Sequence, residues 1–197
     1  MIAVIDYGVG NLFSLTASLN YIGADVTVTA DKDVLKAADK MILPGVGAFR
    51  DAREKLFATG LVDTLYEQVE AGKPLLGICL GMQMLFDKSY EYGEWDGLGL
   101  IPGKVRYIET DLKVPQIGWN SISIKEDPLF RYTKDGDFVY YVHSYCATEC
   151  EQDTIAVSDY HVPITGAVHK GNVWGTQFHP EKSGNVGLGM LRAFNEL

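Results

Sequence analysis

Through the first 86 residues, short apolar runs alternate with amphipathic stretches, and this alternation restricts the fold more than any other feature. Residues 1–6, 24–29, 40–43 and 74–79 read as strands. Between them, residues 12–22 carry Leu12, Leu15, Leu19 and Ile22 at helical spacing, and residues 31–37, 48–58 and 61–71 also read as helices. Gly72 and Pro74 close the last of these. A further helical pattern runs through Leu80, Met84 and Leu85. Strands separated by helices cannot close as hairpins, so they pair in parallel with helices on both faces.

After Phe86 the pattern changes. Residues 90–97 form a polar, glycine-containing loop, and strand-like runs follow at 104–108, 119–124, 138–145, 154–158, 165–169 and 172–178 with few helices between them. A hairpin turn is expected around Lys170-Gly171, and a last helix from about residue 186 to the end. The expected fold is α/β: one open mixed sheet, parallel in its first half with helices on both faces, partly antiparallel in its second. Nothing repetitive, low in complexity or linker-like divides the chain, so residues 1–197 are expected to form a single domain.

Composition narrows the function classes. Apolar residues make up 47% and charged residues 22%, a balance that builds a core and argues against disorder. No apolar run approaches the roughly 18 residues of a membrane span. The net charge of −9 offers nucleic acid no electrostatic footprint, but suits a small substrate or a basic partner. Three cysteines, with no basic-then-apolar leader, point to a reducing, cytoplasmic setting. Cys146 and Cys150 lie four positions apart with no second Cys/His pair at zinc spacing, so they read as strand-end cysteines and no metal is expected.

Gly77-Ile78-Cys79-Leu80-Gly81 places G-x-C-x-G at a strand-to-helix junction, the thiol form of a nucleophile elbow. So tight a turn demands small residues two before and two after the nucleophile. It lifts the sulfur above the carboxyl edge of the sheet, where open α/β folds bind ligands. It also sets the sulfur at a helix N-terminus, which favours thiolate over thiol. The alternative is a buried packing cysteine.

The complementary chemistry lies at His179-Pro180-Glu181, after a strand. Proline is expected to keep this backbone extended, so that His179 and Glu181 project to the same side. An imidazole can take the thiol proton and later protonate a departing amine, while the carboxylate fixes its tautomer. The other histidines lack this context. His143 lies in an apolar strand and reads as a hydrogen-bonded core residue; His161 and His169, near turns, read as solvated.

With both motifs in hand, the chain resembles the class I glutamine amidotransferases, a family of flavodoxin-like fold. The resemblance covers nearly the whole length. Asp6–Asn11, Pro44–Phe49, Gly77–Gln83, Pro115–Asn120, Val142–Tyr145 and Phe178–Ser183 come in the family order. The Pro-Gly-Val-Gly-Ala-Phe and Gly-Trp-Asn segments are similar to one branch. In that branch the glutaminase forms a heterodimer with a (β/α)8-barrel cyclase of histidine biosynthesis, which makes imidazole glycerol phosphate and an aminoimidazole carboxamide ribotide. The resemblance implies that Cys79, His179 and Glu181 hydrolyse glutamine to glutamate and ammonia, with no metal or organic cofactor.

The resemblance also implies an oxyanion hole at Val46, Gly47 and Leu80. Gly45-Val46-Gly47 follows a strand and is flexible enough to turn amide N–H groups toward an anionic oxygen; an ordinary strand-to-helix turn is the alternative. Gly45, Gly47, Gln83, Ser144 and Tyr145 would hold glutamine, Gln83 lying one helical turn beyond Cys79. Asn11, Trp119, Asn120 and Lys182 would lie at the partner interface or its gate, although core packing explains a tryptophan equally well. Residues 8–13 mimic the start of a dinucleotide loop, but Phe13 stands at the third glycine position, so no nucleotide site is expected. Peptidase-like relatives of this fold have a histidine directly after the nucleophile, where this chain has Leu80. A glutaminase serving another synthase remains an alternative. A non-catalytic module of the same fold would be expected to lack a triad member, and none is missing.

Overall fold

The structure, a computed structural model, describes residues 1–197. Its first half runs β1 (Ile2–Ile5), α1 (Leu12–Tyr21), β2 (Val26–Thr29), α2 (Lys32–Ala37), β3 (Lys40–Leu43), α3 (Phe49–Ala58), α4 (Val62–Glu70), β4 (Leu75–Ile78) and α5 (Leu80–Met84). Local chemistry sets the helix starts. The Asn11 side chain accepts from Ser14 N at 3.3 Å, and Asp31 accepts from Asp33 N at 2.7 Å. The second half comprises β5 (Phe86–Ser89), β6 (Trp95–Asp96), β7 (Ile101–Tyr107), β8 (Gln116–Ser121), β9 (Ser123–Ile124), β10 (Phe138–His143), β11 (Tyr145–Thr148), β12 (Thr154–Asp159), β13 (Pro163–Lys170), β14 (Val173–Thr176) and α6 (Gly184–Glu196).

The main sheet has eight strands in the order β2-β1-β3-β4-β14-β13-β12-β9. From β2 through β14 every neighbour is parallel, and from β14 to β9 every neighbour is antiparallel. The period of two along β1 sends alternate side chains to opposite cores. Ala3 and Ile5 join Leu35, Phe49, Leu56 and Leu65 on one face, while Ile2 and Val4 join Leu15, Leu19, Leu191 and Phe194 on the other. Helices therefore cover both faces, as the alternation requires.

The second half departs from a single sheet. Residues 119–124 and 138–145, each read as one strand, are each divided. β8 pairs with β10 in a two-stranded ribbon, whereas β9 joins the main sheet and β11 pairs with β7 in a four-stranded sheet, β11-β7-β5-β6. A strand that changes partners must break its ladder, and the breaks fall at Ile122 and Ser144. β5 and β6 carry no strand signal in the sequence because they are short and largely polar. The expected hairpin is present one residue on: Lys170 pairs with Val173, and Gly171, at φ 63°, and Asn172 make the turn.

β14 comes nearly one hundred positions after β4 in sequence yet lies directly beside it, with Gly175 opposite Gly77 and Thr176 opposite Ile78. The residues that follow these two strands consequently emerge at the same sheet edge. Close packing supports the edge from below. A Cβ on Gly81 would fall 1.9 Å from the Leu43 carbonyl oxygen, and one on Gly77 would fall 2.8 Å from the Gly81 backbone. Gly81→Ala should therefore destabilise the protein by at least about 3 kcal/mol. Gly136→Ala, at positive φ but in open space, should cost about 1 kcal/mol. Urea unfolding tests this, and equal midpoints for the two variants would contradict the packing described.

Candidate active site

Cys79 caps α5 at φ 54° and ψ −111°, a backbone conformation L residues avoid and one that costs about 1–3 kcal/mol. Its N–H is committed to Thr176 O at 2.7 Å, which ties the turn to β14. The side chain is buried and faces a cavity of about 280 Å³.

From β14 the chain reaches His179 on the other side of the same cavity. Residues 180–182 curl into a 3-10 turn rather than staying extended, because the fixed φ of Pro180 suits a first helical position. The curl brings Glu181 Oε1 to 2.8 Å from His179 Nδ1. Both side chains are almost fully buried. The carboxylate only accepts, so Nδ1 carries the proton and Nε2 is left for the cavity. Nε2 and the second oxygen of Glu181 are buried without a hydrogen-bond partner. Burial alone would lower the His179 pKa, but the Cys79 sulfur and the Glu181 carboxylate outweigh it and raise it to about 9. The backbone here is pinned to β10: His179 N donates to Tyr140 O at 3.0 Å, and Tyr140 N donates to Ser183 Oγ at 3.0 Å.

Val46, Gly47 and Leu80 line the cavity beside Cys79, with Gly47 at φ 90°. Gly45 is not part of the wall; it packs beneath it, where a Cβ would fall 2.7 Å from Gly81 N. Gln83, Ser144 and Tyr145 also line the cavity, and Gln83 Nε2 donates to Tyr145 O at 2.9 Å. Trp119 is exposed, as is Lys182, whose Nζ lies 6.0 Å from the Tyr140 ring. Asn120 donates to Asp159 O at 2.8 Å, and Asn11 is the cap of α1, so both have structural partners already.

Three residues of the site carried no sequence signal. Glu91 lines the cavity, and its Oε2 accepts from Phe49 N at 2.6 Å, capping α3 directly after the Gly45–Gly47 loop. Burial raises its pKa, against the opposing effect of that N–H. Tyr7, buried next to Gly45, donates to Pro44 O at 2.6 Å. Gln177, fully buried, approaches the Cys79 sulfur. His143 is the core residue its strand suggested: its ring nitrogens meet Tyr145 O and Gln116 Oε1, both at 2.8 Å, and burial pushes its pKa down to about 4. His161 is exposed, as expected, whereas His169 is only partly so: it stacks on Trp174 and its Nδ1 lies 2.6 Å from the Asp127 carboxylate.

A larger hollow of about 700 Å³ lies between residues 124–131 and the end of α6. Its wall holds no thiol, hydroxyl or imidazole, and Arg131 there is paired with Glu196. The smaller cavity is where the Cys79 thiol, the buried His179–Glu181 pair and the loop at Val46–Gly47 meet.

A mixed sheet that carries a strained cysteine at its edge, with a buried His–Glu pair lining the same small cavity, defines an α/β protein with a thiol-bearing site. A family model described as glutamine amidotransferase class-I matches residues 3–195, and the chain belongs to that family. Among its relatives is "Imidazole glycerol phosphate synthase subunit HisH" of Bacillus cereus (strain G9842), 51% identical over 98% of this chain and 93% of that protein. The protein of the same name from Caldanaerobacter subterraneus subsp. tengcongensis is 47% identical over 100% and 98%. A solved structure described as a glutamine amidotransferase superposes with a TM-score of 0.79 at 18% identity, covering 100% of this chain and 98% of its own.

The raised pKa of His179 carries a stability consequence with a definite sign. The ring binds its proton more tightly folded than unfolded, so its contribution is complete below its ordinary 6.5 and is lost as pH rises through about 9. Wild-type stability should fall over this window by up to about 3 kcal/mol more than that of His179→Gln. Parallel pH dependences in urea unfolding would contradict the assignment.

Proposed function

We propose that this chain is a single-domain glutaminase, residues 1–197, that hydrolyses glutamine and hands the ammonia to a separate (β/α)8-barrel cyclase subunit. The meeting of Cys79 with the His179–Glu181 pair at one cavity, dictated by the β4–β14 pairing, carries the reading.

The chemistry follows from the geometry. With its pKa raised, His179 keeps the Cys79 proton at neutral pH, and the charged sulfur adds to the side-chain carbonyl carbon of glutamine. The carbonyl electron pair moves onto oxygen, where N–H groups of Val46, Gly47 and Leu80 are suited to receive it; one such donor is worth roughly 3 kcal/mol. Collapse expels the amide nitrogen, which takes the proton from His179 and leaves as ammonia. The remaining glutamyl thioester is attacked by water, with His179 again accepting a proton, and glutamate departs as the thiol is restored. A His179 pKa raised to about 9 suits the protonation of the leaving amine. Glu91 puts a carboxylate in the cavity wall, where the substrate ammonium would pair with it, and Gln83, Ser144, Tyr145 and the Gly47 backbone would hold the amino-acid end, with Gly45 packing beneath that wall. No step requires a metal or organic cofactor.

The HisH relatives are named as subunits of imidazole glycerol phosphate synthase, which supports the partner. So does the outer face of the β8–β10 ribbon, where Ile117, Trp119, Phe138 and Val142 are exposed around Tyr140. Phe13 on α1 is a further exposed aromatic, at 84%. We assign this face, with Asn11, Asn120 and Lys182 around it, to the cyclase. Three unpaired cysteines fit a cytoplasmic setting.

Glutamate release from glutamine should be weak for the chain alone and strongly stimulated by the cyclase with its ligand bound. Cys79→Ala should abolish it. Trp119→Ala should weaken cyclase binding by at least about tenfold. Turnover indifferent to the cyclase would remove the partner assignment; turnover surviving Cys79→Ala would remove the nucleophile.

A further inference from the structure

The Cys79 sulfur has a second polar neighbour that the triad chemistry does not use. Gln177 follows β14 directly and is fully buried, with its Nε2 3.7 Å from Sγ. Neighbouring acceptors settle which end of its amide faces the sulfur. The Tyr145 carbonyl can only accept, so the Gln83 atom 2.9 Å from it is the amide nitrogen. That nitrogen also donates to Gln177 at 3.0 Å, so the Gln177 atom there is its carbonyl oxygen. The NH2 end of Gln177 is what remains for the sulfur. Reversing this amide would set two N–H groups against each other at Gln83 and a carbonyl oxygen against Sγ.

We propose that Gln177 is a further catalytic residue, an N–H donor that holds the Cys79 sulfur in its anionic form and in line for attack. The inference rests on the reading of Cys79 as nucleophile. A donor hydrogen bond favours a charged sulfur over a neutral thiol. His179 cannot supply such a bond throughout the cycle, because it gives its proton to the departing amine. The amide of Gln177 has no proton to lose, so it remains a donor when the thioester collapses and charge returns to sulfur. Its orientation is fixed from the pocket wall, through Tyr145 and Gln83, so the residues placed to grip the amino-acid end also set the nucleophile's donor.

Alkylation by iodoacetamide isolates this role. The reaction consumes the charged sulfur and displaces iodide, and it uses neither the oxyanion donors nor the amino-acid subsite. In the full-length Gln177→Met variant, which keeps the side-chain length and removes the donor, Cys79 alkylation at neutral pH should slow about tenfold. The rate should recover as the pH is raised and base supplies the thiolate, and kcat for glutamine should fall by a similar factor. A merely structural role would leave the pH profile of alkylation where it is. Gln177→Asn, which keeps an amide but draws it back from the sulfur, should show the same shift and serves if the methionine variant does not fold. Wild-type alkylation profiles in folded variants, with Cys79→Ala inactive, would overturn the role of Gln177. Glutamine turnover by Cys79→Ala would instead remove the nucleophile reading beneath it.

Discussion

The pairing of β4 with β14 is the contact on which the site depends. These strands lie far apart in the chain, and their parallel register delivers Cys79 and His179 to one edge of the sheet with a hydrogen bond from Cys79 N to Thr176 O. A one-residue slip would turn alternate side chains to the opposite face. The register is held on both sides, because each strand is buried and β14 is also paired with β13. Nothing in the site needs long-range electrostatics to assemble. It is assembled by the sheet.

Close backbone approach is the second requirement. The Cys79 turn is strained, and a strained residue persists only where its surroundings over-determine it. Gly77, Gly81 and Gly45 let three segments meet at distances no Cβ would allow, so the turn is clamped from below. At the ends of the Gly45–Gly47 loop stand two further bonds, from Tyr7 to Pro44 O and from Phe49 N to Glu91. The loop between them carries Gly47 at positive φ, with nothing within 4 Å of where its Cβ would be. Rigid posts with a freer peptide between them would suit the oxyanion donor proposed for this loop.

Much of this was legible in the sequence, and the reasons are specific. The elbow is a local demand for small residues, so Gly77-Ile78-Cys79-Leu80-Gly81 announces itself. The parallel half follows from strands that only helices connect. What stayed hidden depends on partners distant in sequence. Residues 138–145 look like one strand because their side chains alternate, yet the break at Ser144 reflects two different ladders. Glu91 and Gln177 look like surface or filler residues until β7, β11 and β14 carry their neighbours to them. Proline's fixed φ suits an extended Pro180 segment, but the same φ also fits a 3-10 turn, and the turn is what brings Glu181 onto His179.

Chemistry at the sulfur can be observed directly by acid-quenching the stimulated complex during turnover of glutamine and weighing its peptides. One glutamyl group is expected on the peptide that contains Cys79, accumulating where water attack is slow and absent when glutamine is omitted. Glutamate formed with no adduct on that peptide, or with the adduct on Cys146 or Cys150 instead, would contradict a nucleophile held at this sheet edge.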